Sequence, residues 1–357
     1  MKLKFLTALL LPALLSGAIA CRAQEVNMPT HTLHLDATHV VILLDSVAAG
    51  PTITTDRIDD YFARVTAGEM SIQMKQPLSD ANERSALFPD YLDYLRSDVG
   101  SFTEKESKAV KEVFEKVFRN VNEINPKIFP DTIKLIKTHA KHYGEGVYYT
   151  RENCIVIPEK ELATRKRDNF TTTMYHELFH VVSRLNPTLQ RELYRLIGFE
   201  RLGLDNLDLP EKLDSRVLYN PDGVDFAQKI KLQMEDGSQI EAIPIIYSNS
   251  DGYDPEQTEF FAYLEFNLFQ IKPSASGRYS VVTGPDGLKS TLSLDSLPDF
   301  FRQIKDNTGY IIHPDEVLAD NFAFLVQSKH QPVMIAKFSP AGKQLLADME
   351  AVFKALK

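Results

Sequence analysis

Apolar positions along the 357-residue chain change period several times, and each change marks a predicted element. From 103 to 121, Val110, Val113, Phe114, Val117, Phe118 and Val121 recur at steps of three and four, which puts them on one face of a helix. Shorter helical patterns cover 56–65 and 87–95. The stretch 132–138 alternates as a half-buried strand does, and 39–44, 144–150 and 154–157 read as further short strands. Residues 169–185 are helical in pattern, closed at Asn186-Pro187 because proline disfavours helix at the residue before it. Another short helix is predicted over 188–200.

Between 205 and 300 the pattern turns to strands. Segments 229–234 and 239–247 flank Asp236-Gly237, a hairpin signal. The Phe-rich segment 258–271 alternates in part and predicts a strand, and 279–283 and 289–294 flank the turn Gly284-Pro285-Asp286-Gly287. Helical spacing returns at 314–326 and 340–356. The expectation is an α+β chain: a mainly helical region over 37–125, then a domain over 126–357 that carries a β-rich insertion at 205–300.

The N-terminus has a different character. Met1-Lys2-Leu3-Lys4 is basic, 5–15 is apolar and broken by Pro12, and 16–20 are small residues apart from Ile19. A run this short predicts a secretory leader over 1–20, since a membrane span needs about 20 apolar residues. Ala18-Ile19-Ala20 fits ordinary leader cleavage, and with Cys21 it resembles a bacterial lipobox, although leucine is usual where Ala18 stands. The expectation is cleavage before Cys21 and lipidation of that thiol, with 21–36 tethering the domain to a periplasm-facing membrane. A soluble periplasmic or secreted protein is the alternative. Cys154, in an apolar run, reads as a buried inert thiol.

Composition removes one class of partner. Lys plus Arg number 40 against 49 Asp plus Glu, a formal charge of -9, and the chain is more acidic still without the two leader lysines. With no basic excess or stripe, nucleic acid is excluded as a partner.

One motif carries chemistry. His176-Glu177-Leu178-Phe179-His180 lies inside the predicted helix 169–185. Residues four apart on a helix differ by about 40° in azimuth, so both imidazoles project from one face and can hold one metal ion. Glu177, beside His176, can reach a water on that metal as a general base. Phe170, Met174, Val181 and Leu185 form the apolar side that fastens the helix to the core. A catalytic zinc keeps three protein ligands and an open position, so a third ligand must come from elsewhere.

Downstream, 310–322 begins a helix with Pro314 near its first turn, and here the chain resembles the gluzincin peptidases, the thermolysin-like clan. The resemblance covers 132–186 and 308–326. It implies a zincin-like domain, one Zn2+ per chain and a peptide or protein substrate. In that clan the third ligand is a Glu on a second helix, with a small residue three positions later and an acid four later. Glu316, Ala319 and Asp320 match this spacing. The resemblance makes Asp320 the partner that fixes the tautomer of a zinc-bound histidine. It also implies an antiparallel edge strand at 144–150 that pairs with an extended substrate. Tyr310, six residues before Glu316, is the candidate for stabilising the oxyanion, with His313 and His330 as further options. The downstream His motif of thermolysin itself is absent. A competing ligand is Glu259, in Glu259-Phe260-Phe261-Ala262, but Tyr263 stands where the second acid belongs. Two other readings stay open: a non-catalytic envelope binding or assembly protein on a zincin-like domain, and a zinc amidase acting on cell-wall peptides. The intact Glu177 favours an enzyme.

Overall fold

A computed structural model of the chain describes residues 27–78, 83–164 and 166–357. The predicted leader 1–20 and Cys21 lie outside the described residues. The strands are β1 (His31–His34), β2 (Val40–Leu43), β3 (Val99–Gly100), β4 (Thr132–Thr138), β5 (Tyr149–Arg151), β6 (Cys154–Pro158), β7 (Phe199–Arg201), β8 (Leu207–Asp208), β9 (Gln228–Gln233), β10 (Gln239–Ser248), β11 (Leu264–Pro273) and β12 (Tyr279–Val281). The helices are α1 (Ser46–Ile53), α2 (Tyr61–Arg64), α3 (Ala67–Met74), α4 (Arg84–Ser97), α5 (Glu104–Asn122), α6 (Glu159–Thr164), α7 (Arg167–Leu185), α8 (Pro187–Leu196), α9 (Glu211–Asp214), α10 (Pro298–Ile304), α11 (Pro314–Ser328) and α12 (Pro340–Lys354). The fold is mixed α+β.

The first sheet runs β1-β2-β4-β6-β5, with β3 paired to β4. Its centre, β2-β4-β6, is parallel, and β1, β3 and β5 join antiparallel. Parallel strands need cover on both faces, and the alternation of β4 and β6 supplies it. Ile133, Leu135, Ile155 and Ile157 face a core shared with α5, α7 and α11, while Ile136, Cys154 and Val156 face one shared with α1–α4. Helix α5 earns its place through a buried stripe, Val110, Val113, Phe114 and Val117, and a capping box between Thr103 and Glu106. Residues on both sides of 125 therefore build one sheet and share its two cores. The second sheet, β7-β9-β10-β11-β12-β8, is mostly antiparallel and turns Ile230, Leu232, Ala242 and Leu268 onto the core beneath α8 and α10.

Several expectations change. The stretch read as tether holds β1, whose four residues bury only Leu33, so alternation there carries no signal. The helix expected over 56–65 is confined to α2, between the unpredicted α1 and α3. Residues 199–201 form a strand rather than a helix tail, because Gly198 adopts φ 82 and ends α8. Residues 260–263 wind into a 3-10 turn before β11, and 289–294 is not a strand but makes a single bridge, Thr283 to Ser290. The expected edge strand 144–150 is strand only from Tyr149. Cys154 is buried, with its thiol pushed up to about 12 by burial, and reads as inert.

Under α1–α4 lies a polar cluster in an otherwise apolar core. Glu69 is 1 % exposed and accepts from Tyr61 Oη at 2.9 Å, Gln73 Nε2 at 2.9 Å and the Tyr219 amide at 2.9 Å. Tyr91 and Tyr143 complete the network, and the Arg151 guanidinium sits 3.8 Å over the Tyr61 ring. Burial outweighs all these donors and the cation, and pushes Glu69 up to about 7. The folded chain therefore holds this proton where the unfolded chain, near 4.5, has released it. Glu69 contributes its full stability below 4.5 and loses it as pH climbs through about 7, a decline of about 3 kcal/mol. Urea unfolding at about pH 5 and about pH 7.5 should show that decline. Glu69→Gln should flatten it; an unchanged slope would refute the assignment.

Candidate metal centre

Helix α7 carries His176, Glu177, His180, Ser183 and Arg184 along one side, and α11 crosses it. The two helices pack together, with Ala319 and Ala323 of α11 buried and the Phe179 and Phe322 rings 5.8 Å apart. Small residues let the backbones come close, and Pro314 starts α11 where its missing N–H has no helical partner to lose. His313 caps that turn, its Nδ1 accepting from the Asp315 amide at 3.1 Å.

Three donors converge. His176 Nε2 lies 3.1 Å from Glu316 Oε2, and His180 Nε2 lies 3.4 Å from the same oxygen. Ligand atoms of His176, His180 and Glu316 all fall within 4.8 Å of one another, a group that could hold a metal ion. Two ligands bonded to zinc at its usual lengths and a tetrahedral angle are about 3.3 Å apart, so the spacing fits. Two nitrogens and a carboxylate are also the donor set of catalytic zinc sites.

Each ligand is held from behind. His176 Nδ1 pairs with Asp320 at 2.9 Å, and Thr308 bonds the other oxygen of that carboxylate. His180 Nδ1 pairs with Asp315 at 2.7 Å. Asp315 also accepts from Ser183 Oγ at 2.6 Å and Tyr194 Oη at 2.9 Å. Asn220 Nδ2 donates to Glu316 Oε1 at 2.6 Å. Burial opposes protonation of His176, yet Asp320 and Glu316 outweigh it and hold the imidazole up to about 10. Burial likewise works against charge on Glu316, but the two imidazoles keep it well below the carboxylate range. A dication would displace those protons.

Glu177 is 4 % exposed, and its Oε2 has no hydrogen-bond partner. Burial, then the negative charge of Asp222, pushes its carboxyl up to about 8. It lines a cleft of about 330 Å3 with His176, Glu316 and Asp320. Tyr310 lines the same cleft, 39 % exposed, its ring stacked 6.1 Å from that of His176. The remaining candidates lie elsewhere. His313 is buried against the Asp225 carbonyl at 3.3 Å, His330 pairs with Glu123 at 3.2 Å, and Glu259 is exposed near Gly144, outside the ligand group.

The edge strand does not offer the free amide expected of it. Thr150, the outward-facing residue of β5, gives its N–H to Asp222 Oδ1 at 2.6 Å and its hydroxyl at 2.5 Å. Val147 and Tyr148, outside the strand, line the cleft instead.

Asp315, Asn220, Asp222 and Arg184 join the site without a signal of their own in the sequence. Asp315 was one step from a named ligand. Asn220-Pro221-Asp222-Gly223 has only the composition of a turn, and Arg184 that of a surface helix end. Compared with protein-family models, with curated proteins and with solved structures, the chain matches none.

The two backing carboxylates should matter alike. Asp315→Ala and Asp320→Ala should each lower metal affinity about 10–100-fold in chelator competition. Glu316→Ala should abolish stoichiometric binding, and Glu259→Ala should leave it intact. Retention of full affinity by Asp315→Ala would remove that residue from the centre.

Proposed function

We propose that the chain is a zinc-dependent peptidase of gluzincin type, built on a zincin-like arrangement of sheet and helices. The observation that carries this reading is the unpartnered, buried Glu177 oxygen beside three converging ligand atoms. A structural or purely binding site has no use for a desolvated carboxyl next to its ligands. A mixed sheet packed on α7, and a glutamate of the group carried by a second helix, add support.

His176, His180 and Glu316 would hold the zinc, which would supply Lewis acidity toward a carbonyl and toward water. Glu177 takes the proton of the attacking water as the new C–O bond forms. It returns a proton to the leaving nitrogen as the C–N bond breaks. Asp320 and Asp315 hold each imidazole in the tautomer that presents Nε2. Tyr310, which lines the cleft, donates its hydroxyl to the developing oxyanion in this reading. In this reading the leader and Cys21 assign the activity to the bacterial envelope, on a lipid anchor. Among the described residues no helix is long and apolar enough to cross a membrane.

Glu177→Gln should keep one zinc and slow hydrolysis of a fluorogenic peptide library about 10²–10⁴-fold, the range of a lost general base. Metal analysis and turnover with and without chelator read both. Wild-type rates from a zinc-loaded Glu177→Gln protein would end the peptidase reading.

A further inference from the structure

The cleft contains a carboxylate that neither joins the ligand group nor moves a proton in the chemistry above. Asp222 is not among the ligand atoms and bonds neither histidine. It is nevertheless held firmly. Its Oδ1 accepts both the amide and the hydroxyl of Thr150, and its own amide bonds Asn220 Oδ1 at 3.0 Å. The loop that carries it is tied down by Arg184 from α7. That guanidinium donates to Pro221 O at 2.7 Å and to Thr150 Oγ1 at 2.8 Å, and spends its remaining charge on Asp59. Arg184 makes no ion pair with Asp222. Among the described residues no donor reaches Asp222 Oδ2.

Asp222 also stands at a junction. It borders the cleft with His176 and Glu177, and it borders an aromatic pocket of about 60 Å3 formed with Tyr148, Phe261 and Tyr310. Four carboxylates line the cleft: Glu177, Asp222, Glu316 and Asp320. With Glu177 held neutral by burial, a dication would offset two of the other three and leave one negative charge in the cleft. A fixed carboxylate with a bare oxygen, in an anionic cleft beside π faces, is a receptor for an alkylammonium group.

We propose that Asp222 determines specificity by holding a protonated nitrogen of the substrate, so that the peptide bond cut lies beside a positive charge. This rests on the peptidase reading. The aromatic pocket accommodates the carbon skeleton attached to that nitrogen. The same chemistry has two sources, the α-ammonium of a peptide's first residue and the side chain of lysine, and matched probes separate them.

The probes are four peptides of one sequence: free at the N-terminus, N-acetylated, acetylated with one lysine, and acetylated with norleucine in its place. Binding is measured calorimetrically to zinc-loaded Glu177→Gln protein, which needs no turnover. Hydrolysis is measured on the zinc-loaded wild type. One charged member should exceed its neutral partner about 10–100-fold in affinity and in kcat/KM, the effect of a charged hydrogen bond. The free and acetylated pair reads the α-ammonium, and the lysine and norleucine pair reads the side chain. Asp222→Asn keeps an acceptor for Thr150 and should collapse the preference to about twofold, whereas Asp222→Glu should restore part of it. Equal binding of all four peptides, or an unchanged preference in Asp222→Asn, overturns the proposal. So does a second zinc per chain that Asp222→Asn removes. Preferential binding without any wild-type hydrolysis would sink the peptidase reading and leave the ammonium site standing.

Discussion

Two helices press ionisable side chains into a nearly dry interface, and the remainder of the centre exists to make that tolerable. His176, His180, Asp315, Glu316 and Asp320 meet between α7 and α11, and His180, Asp315 and Glu316 are each about 1 % exposed. Charges taken out of water cost several kcal/mol apiece unless paired and hydrogen-bonded. Here each of the three carboxylates takes a further donor from outside the two helices' facing turns: Tyr194 of α8 for Asp315, Asn220 of the loop before β9 for Glu316, and Thr308 of the approach to α11 for Asp320. Sliding α11 along α7 by one turn would strand a carboxylate at each of these positions. Electrostatics therefore fixes the register that Ala319 and Ala323 merely permit.

The same helix does a second task at its other end. One turn past His180, Arg184 reaches Asp59, Thr150 and Pro221, and so clamps the N-terminal helical layer, the edge strand and the 220–223 loop to the helix that presents the histidines. Gly223 in that loop lies against the His313 ring so closely that no Cβ fits there. The loop is thus wedged between the end of α7 and the start of α11. Positions of Asn220 and Asp222 follow from that wedge, not from the loop's own preferences.

Much of the centre was legible in the chain because its signals are local. His176 and His180 share a face through helical period alone, and Glu316, Ala319 and Asp320 do so on α11. The stripe of α5 and the β9–β10 hairpin around Asp236-Gly237 are equally local. What stayed hidden depends on partners far away. Asn220 meets Glu316 across 96 residues, and Arg184 meets Asp59 across 125. No period within a window encodes such a meeting. Asp315 is a subtler case: from the chain alone it is one more acid in the first turn of a helix, and only the position of His180 gives it a role. Residues 260–263 mislead for another reason, since Phe260-Phe261-Ala262-Tyr263 has the composition of a strand but is wound by its packing against Tyr143 and by the Glu259 carbonyl.

The centre draws on residues 150, 176–184, 220–222 and 308–320, so its parts are separated by most of the described chain. Loops of this length are closed late on a folding route, after local helices and hairpins have formed. A chain emerging in order presents its two histidines long before α11 exists to complete the set. An ion that needs all three ligands consequently finds its full site only in the finished fold, and its binding energy weighs on the native side of the equilibrium alone. Metal supply would then tune how long this protein survives unfolding and proteolysis.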